Sequence, residues 1–158
     1  MADNYIDLKT KDGMATFEVM PMDGVRASKL LIHLIEKFGG ATWDLCSGKE
    51  NSFTRFCALI NPAEFEYLMK EVLYSVNVKY ESKTETGVQN RFNSIFMGRP
   101  LDLMKLVAFG VQFNLGEGLQ DFFGPVLEGL KATLQGAMEN LAVNLSHTQE
   151  TSPGSVQG

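Results

Sequence analysis

The stretch RPLDLMKLVAFGVQFNLGEGLQDFFGP, residues 99–125, decides the fold because it places a long apolar run in an acidic protein. A helix over residues 100–115 is apolar nearly all round, with a narrow polar line formed by Asp102, Lys105 and Gln112. Such a helix either lies in a protein core or is shared with a partner. We predict that it is the central core helix and that its phenylalanines are candidate partner contacts.

The same segment does not fit a membrane span. A bilayer-spanning helix needs about 20 mostly apolar residues. Here Asp102 and Lys105 occur near the start, and the polar residues Gln112 and Asn114 follow. Gly116 and Gly118 are predicted to interrupt the helix in a glycine-rich corner. We therefore expect no membrane partner.

Composition excludes further classes of function. The chain has 158 residues, of which 44% are hydrophobic and 21% charged, which is typical of one globular domain. Its net charge is −5 and no dense basic run occurs, so we expect no nucleic-acid partner. The N-terminus lacks the basic and apolar regions of a secretory signal. Cys46 and Cys57 are too few for a disulfide framework and are predicted to be reduced thiols.

Local patterns predict an α+β fold that is mostly α-helical, with several amphipathic helices and a small β-sheet or hairpin. Alternation indicates a strand over residues 15–22, and Asp23 then caps a helix that ends at Gly39. Asn61 and Pro62 begin a second helix, with Glu64 placed for a capping box. Residues 41–60 suit a loop followed by a short buried helix or strand.

The remaining segments complete the predicted organisation. Residues 76–96 suggest a β-hairpin or a pair of short strands, with a turn at Thr86–Gly87. The predicted domains are a flexible N-terminus over 1–13, a globular helical domain with a small sheet over 14–125, a C-terminal amphipathic helix over 126–145 and a disordered tail over 146–158.

No motif carries catalytic, cofactor or metal chemistry. Gly116–Gly118 gives only half of a dinucleotide fingerprint, and it follows a helix instead of a strand. The only candidate nucleophilic dyad is Cys46 or Cys57 with His33, and a structural role is favoured for all three. We predict no catalytic, cofactor-binding or metal-binding residue and no enzymatic activity.

Two stretches carry a family resemblance. ATFEVMPMDGVRASKLLIHLIEKFGG, residues 15–40, reads as a strand, a small-residue cap and an amphipathic helix ended by glycine. RFNSIFMGRPLDLMKLVAFGVQFNLGEGLQDFF, residues 91–123, runs through an element formed by Val111, Phe113 and Asn114 to the aromatic pair Phe122 and Phe123. Together they resemble the bacteriophage tail assembly chaperones over residues 15–125.

The resemblance implies a non-catalytic protein in the cytoplasm of an infected bacterium. Members of this group coat the tape measure protein, a long helical chain, until tail tube subunits polymerise around it. The expected partners are the tape measure protein, with the tail tube protein and self-association as further interactions. The predicted partner-binding residues are Phe109, Phe113, Phe122, Phe123, Val126, Leu130, Leu134 and Leu141.

Other classes of function stay open at this point. A structural tail or baseplate protein of the virion would have a similar composition. An enzyme or small-ligand protein would need a deep pocket around His33, Cys46 or Cys57. A phage inhibitor directed at the host is also compatible with the sequence.

Overall fold

The computed structural model describes residues 3–150, without the side chains at positions 118, 120–124, 126, 127, 130, 131 and 147–150. It divides into two compact units, with the boundary after Gln120. The first unit contains a sheet and every described helix except the last. It also contains the first part of that last helix. The second unit is described as helix alone. The fold is α+β and mostly helical, as predicted.

The elements follow one another along the chain in this order: β1 (Tyr5–Thr10), β2 (Gly13–Val19), α1 (Gly24–Phe38), α2 (Gly40–Cys46), α3 (Ser52–Leu59), α4 (Pro62–Val72), β3 (Val76–Lys79), β4 (Thr84–Glu85), a 3-10 helix (Val88–Arg91), α5 (Phe92–Ile95) and α6 (Pro100–Glu150). The four strands form one antiparallel sheet in the order β1-β2-β3-β4. The sheet is therefore a meander, which brings β3 and β4 beside the N-terminal hairpin.

The predicted flexible N-terminus is wrong over residues 5–10, which form strand β1. Thr10 faces Gly13 across a tight turn, and the Thr10 hydroxyl donates a hydrogen bond of 2.8 Å to the Gly13 carbonyl. Leu8 and Thr10 are buried, whereas Asp7 and Lys9 are exposed. The strand was missed because its outward face is charged, and only pairing with β2 reveals the alternation.

Both predicted helix starts are confirmed. The Asp23 carboxylate accepts a hydrogen bond of 2.9 Å from the Arg26 backbone N–H at the start of α1. The Asn61 side chain accepts one of 2.8 Å from the Glu64 N–H at the start of α4, and Pro62 takes the first helical position. These caps satisfy backbone donors that have no partner inside the helix.

The predicted turn at Thr86–Gly87 is wrong, because the chain reverses earlier. Tyr80 donates its backbone N–H to the Lys83 carbonyl at 2.8 Å, which closes the hairpin between β3 and β4. The Glu85 carboxylate then accepts from Lys83 and from Arg91, each at 2.6 Å. These ion pairs hold the charged side chains on the surface, as their interleaved signs suggested.

The core of the first unit lies between the sheet and the helices. The rings of Phe17 in β2 and Phe96 after α5 stack with centroids 5.1 Å apart. The start of α6 is buried as predicted, with Leu106, Val107 and Val111 fully inaccessible to solvent. The large apolar content of residues 100–115 is therefore explained mainly by core packing.

The predicted glycine-rich corner is wrong, because residues 116–118 are helical. Residues 126–145 are helical as predicted, but they continue the preceding helix. Helix α6 runs unbroken from Pro100 to Glu150, with Pro125 inside it, and it includes residues 146–150 of the predicted disordered tail. A side chain at Gly116 would place its Cβ 3.2 Å from the Cys46 carbonyl oxygen, so this glycine permits close packing. Residues 151–158 lie outside the described residues. Within the described part of the chain, none of the helices combines the length and apolarity that crossing a bilayer requires.

Candidate protein-binding surfaces

The aromatic residues of α6 in the first unit form one half-buried pair. Phe109 and Phe113 lie one helical turn apart, and their rings stack with centroids 6.3 Å apart and an interplanar angle of 12°. Both side chains are of intermediate exposure. The structure thus brings together two of the predicted partner-binding residues, but much of each ring already packs within the unit.

The polar residues beside this pair hold α6 in place. The Asn114 amide oxygen accepts a hydrogen bond of 2.8 Å from the Met22 backbone N–H, in the loop between β2 and α1. The Gln112 side chain donates one of 2.8 Å to the Leu45 carbonyl in α2. Val111 is fully buried. The element formed by Val111, Phe113 and Asn114 is therefore mainly an anchor for α6, a role that the sequence analysis missed.

The second unit presents a row of exposed apolar side chains, which we call the apolar row. Its members are Leu134, Met138, Leu141 and Leu145, which are 63%, 70%, 62% and 60% exposed. Their steps of four, three and four residues place them along one face of the helix. The row contains the predicted contacts Leu134 and Leu141. The step of four to Leu145 continues the same helical spacing in the sequence.

The other predicted contacts cannot be located in the same way. The backbone of each lies in α6, but the side chains fall outside the described residues: Phe122, Phe123, Val126 and Leu130. Their roles therefore stay predictions from the sequence.

A shallow apolar cleft of about 340 Å³ forms a third surface, within the first unit. It lies where α3 leads into α4, opposite the first turns of α6. The lining side chains include Cys57, Ile60, Phe65, Leu103 and Met104, and the polar one among them, Asn61, already caps α4. This cleft was not predictable from the sequence, because its walls come from segments about 40 residues apart.

The thiols and histidine do not assemble a nucleophilic site. Burial raises the pKa of the Cys46 thiol to about 12 and also raises the pKa of the Cys57 thiol. A nucleophilic cysteine needs the opposite shift, because the thiolate is the reactive form. His33 Nε2 lies 2.7 Å from the Glu64 carboxylate, and its ring lies against that of Tyr67 at 4.3 Å between centroids.

The Glu64 carboxylate does not form the predicted capping box. Its backbone N–H bonds to Asn61 as expected, but its carboxylate turns to His33 and ties α4 to α1. Among the described residues, no group of three or more histidine, cysteine, aspartate or glutamate side chains could hold a metal ion. The surface features that remain are the half-buried aromatic pair, the apolar row and the cleft.

Comparison with known proteins identifies the family of this chain. A family profile described as "Phage tail assembly chaperone protein, TAC" matches residues 13–130. The match begins at strand β2 and ends within α6, four residues before the apolar row. Searches of curated proteins and of solved structures give no match. Because the matched segment spans well over half of the sequence, this chain belongs to the phage tail assembly chaperone family.

Proposed function

We propose that this tail assembly chaperone binds the tape measure protein of its phage in the host cytoplasm and releases it as tail tube subunits assemble. The observation that carries the proposal is the apolar row, whose four side chains are each at least 60% exposed. Contiguous apolar side chains left in water mark a protein–protein contact or invite aggregation. Family membership assigns the protein to tail assembly, and a long helical client supplies a matching surface.

The spacing of the row suits a helical client. Side chains that alternate steps of three and four residues form a continuous seam along a helix, and such seams pair with the apolar seam of a second helix. Covering one large apolar side chain stabilises a complex by up to about 1.5–3 kcal/mol. Covering all four side chains therefore gives a favourable free energy, from which the entropic and desolvation costs of association must be subtracted.

The composition of the same segment favours reversible binding. Glu139 is the only charged residue between positions 132 and 146, so fixed ion pairs do not dictate one register along the client. Met138 has a flexible side chain that adapts to irregular partner surfaces. A surface of this kind accepts many apolar seams and holds none of them too tightly. These are the properties required of a chaperone that later leaves.

The other predicted contacts extend this surface in the proposal. Phe122, Phe123, Val126 and Leu130 precede the row on the same helix and are retained as contacts from the sequence pattern. The half-buried pair of Phe109 and Phe113 offers less free area, so we assign it a minor share. The tail tube protein is proposed as the competitor that displaces the chaperone.

Co-expression with the tape measure protein tests the proposal. A double variant, Leu134→Ser with Leu141→Ser, removes the centre of the row. We expect the variant to fold like the wild type but to retain less than about a tenth of the client in a pull-down. The matched control is Ile32→Ser, which removes a 67% exposed apolar side chain from α1. The control should retain the client.

Two results would contradict the proposal. Full retention of the client by the double variant would show that the row is not the binding surface. Equal loss in the double variant and in Ile32→Ser would indicate nonspecific adhesion. Mass spectrometry of purified virions separates a chaperone from the alternative of a tail or baseplate subunit, because we expect a chaperone to be absent from finished particles.

A further inference from the structure

Strand β1 has one free edge in the described structure. It is the first strand of the sheet and pairs only with β2. The Val19 N–H donates to the Asn4 carbonyl at 2.9 Å, and hydrogen-bonded positions alternate along an antiparallel ladder. Even-numbered residues therefore bond to β2, and the backbone groups of Tyr5, Asp7 and Lys9 point away from the sheet. Beyond them, the Lys11 N–H donates to the Ile95 carbonyl at 3.0 Å and closes the edge.

Open space lies along this edge. A groove of about 580 Å³ follows Ile6, Asp7, Leu8 and Lys9 and is bounded on the other side by residues 98–102 and by Lys105. Large apolar side chains border the groove, with Met14 57% exposed and Leu101 61% exposed. An uncovered edge strand presents unpaired N–H and C=O groups and is a template for another strand. A strand added at this edge would also cover the exposed apolar side chains that border the groove.

The outward side chains of the edge are complementary to themselves. Asp7 and Lys9 are both exposed and lie on the same face of β1. The Thr16 hydroxyl donates to one Asp7 carboxylate oxygen at 2.5 Å, which leaves the other oxygen able to accept. Lys9 has no ion-pair partner among the described residues. If two copies of β1 pair antiparallel with Asp7 opposite Lys9, two opposite-charge cross-strand pairs form.

We propose that two copies of this chain dimerise through β1 and join their sheets into one continuous antiparallel sheet. In this register Asp7 of each copy faces Lys9 of the other, and the two pairs of residues exchange about four backbone hydrogen bonds. A shift of the register by two residues would set Asp7 against Asp7, which like-charge repulsion disfavours. Charges on an edge strand usually prevent pairing. Here their order admits a second copy of the same strand. The inference does not depend on the client of the chaperone.

Sedimentation equilibrium over a concentration series tests this dimer. We expect the wild type to dimerise, and Lys9→Asp to weaken the dimer about tenfold or more because both ion pairs become like-charge pairs. Asp7→Lys should have a similar effect. The double variant Asp7→Lys with Lys9→Asp exchanges the charges and should recover a Kd within about threefold of the wild type.

Two further variants separate backbone pairing from other routes to a dimer. Lys9→Pro removes an N–H that points away from β2, so it should weaken the dimer while circular dichroism shows an unchanged fold. Leu134→Ser with Leu141→Ser disrupts the apolar row and should leave this dimer intact.

Several outcomes would overturn the inference. A monomeric wild type at every concentration would do so, as would a dimer that tolerates Lys9→Asp and Lys9→Pro. Failure of the charge exchange to restore pairing would exclude the stated register. A dimer lost only in the Leu134 and Leu141 variant would assign self-association to the helix instead.

Discussion

Two parts of helix α6 contain the same kinds of apolar residue, but one part is buried and the other is exposed. Between positions 106 and 119 most of its apolar side chains are buried, with Leu106 and Val111 fully inaccessible, while Phe109 and Phe113 are half-buried. Between positions 134 and 145 its leucines and methionine are mostly exposed. Leucine therefore marks the core in one part and a free surface in the other. Burial is decided by what packs against a helix face and not by the apolar content of that face.

The buried and exposed parts of α6 also differ in whether the family profile matches them. The buried part lies inside the matched residues 13–130, and the apolar row lies beyond them. The matched residues thus cover most of the first unit, including its anchor residues, and the first ten residues of the second unit. The apolar row belongs to the part of this chain that the pattern does not describe.

The largest expected effect compares one leucine from each part. Leu106→Ala should lower the free energy of unfolding by about 2–5 kcal/mol, because it leaves a cavity in a packed core. Leu134→Ala should change it by less than about 0.5 kcal/mol. Urea unfolding followed by the fluorescence of the single tryptophan, Trp43, and by circular dichroism measures both. Similar losses in the two variants would show that Leu134 is also packed.

A pair of glycines in the same helix gives the next largest effect. A Cβ at Gly110 would lie 2.3 Å from Val72 Cγ1 and 3.2 Å from Leu73 Cδ2, so Gly110→Ala should cost about 1–3 kcal/mol through overpacking. Gly129 has open space around it, and Gly129→Ala should raise stability by up to about 1 kcal/mol. Thermal unfolding of both variants checks the signs. A stabilising Gly110→Ala would mean that α4 and α6 do not pack this closely.

Two asparagines of α6 sharpen the comparison at a smaller scale. Asn114→Ala removes the acceptor of the Met22 N–H and should cost about 1 kcal/mol. Asn114→Asp keeps an acceptor there and should cost less. Asn140 is exposed, and Asn140→Ala should be neutral within about 0.5 kcal/mol. If urea midpoints show equal losses at positions 114 and 140, Asn114 does not anchor the helix.

The smallest perturbation is chemical labelling of the thiols of Cys46 and Cys57. Because burial raises the pKa of Cys46 to about 12, almost none of it is thiolate at about pH 8. Cys57 lines the open cleft and should react first with an aromatic disulfide reagent. Cys46 should react only when the protein unfolds. Mass spectrometry of labelled peptides with and without urea measures both rates, and comparable rates without urea would contradict the burial of Cys46.

Local sequence rules predicted several elements because their causes are local. Asp23 and Asn61 cap α1 and α4, since a short side chain with an acceptor oxygen reaches the N–H three residues ahead in any context. Strand β1 was not predicted, because its outward Asp7 and Lys9 obscure the alternation until β2 pairs with it. The turn at residues 80–83 was also missed, because it contains no glycine or proline, the residues that most clearly mark a turn in a sequence.

The candidate surfaces divide in the same way. The spacing of Leu134 and Leu141 is helical, so their alignment was predictable, while their exposure was not. The cleft at Cys57 and the anchor at Asn114 depend on residues far apart in sequence. No window of the chain contains both sides of either contact.

The sequence by itself determined a mostly helical α+β fold, the starts of α1 and α4, the buried nature of residues 100–115 and the resemblance to tail assembly chaperones. Those features follow from side-chain periodicity and from hydrogen bonds within a few residues. Only the tertiary structure decided that α6 continues through Gly116 and Pro125, that β1 is a strand with a free edge, and which leucines remain in water. Those outcomes depend on contacts between distant segments, and the free energy of such contacts is not encoded in any single stretch of the chain.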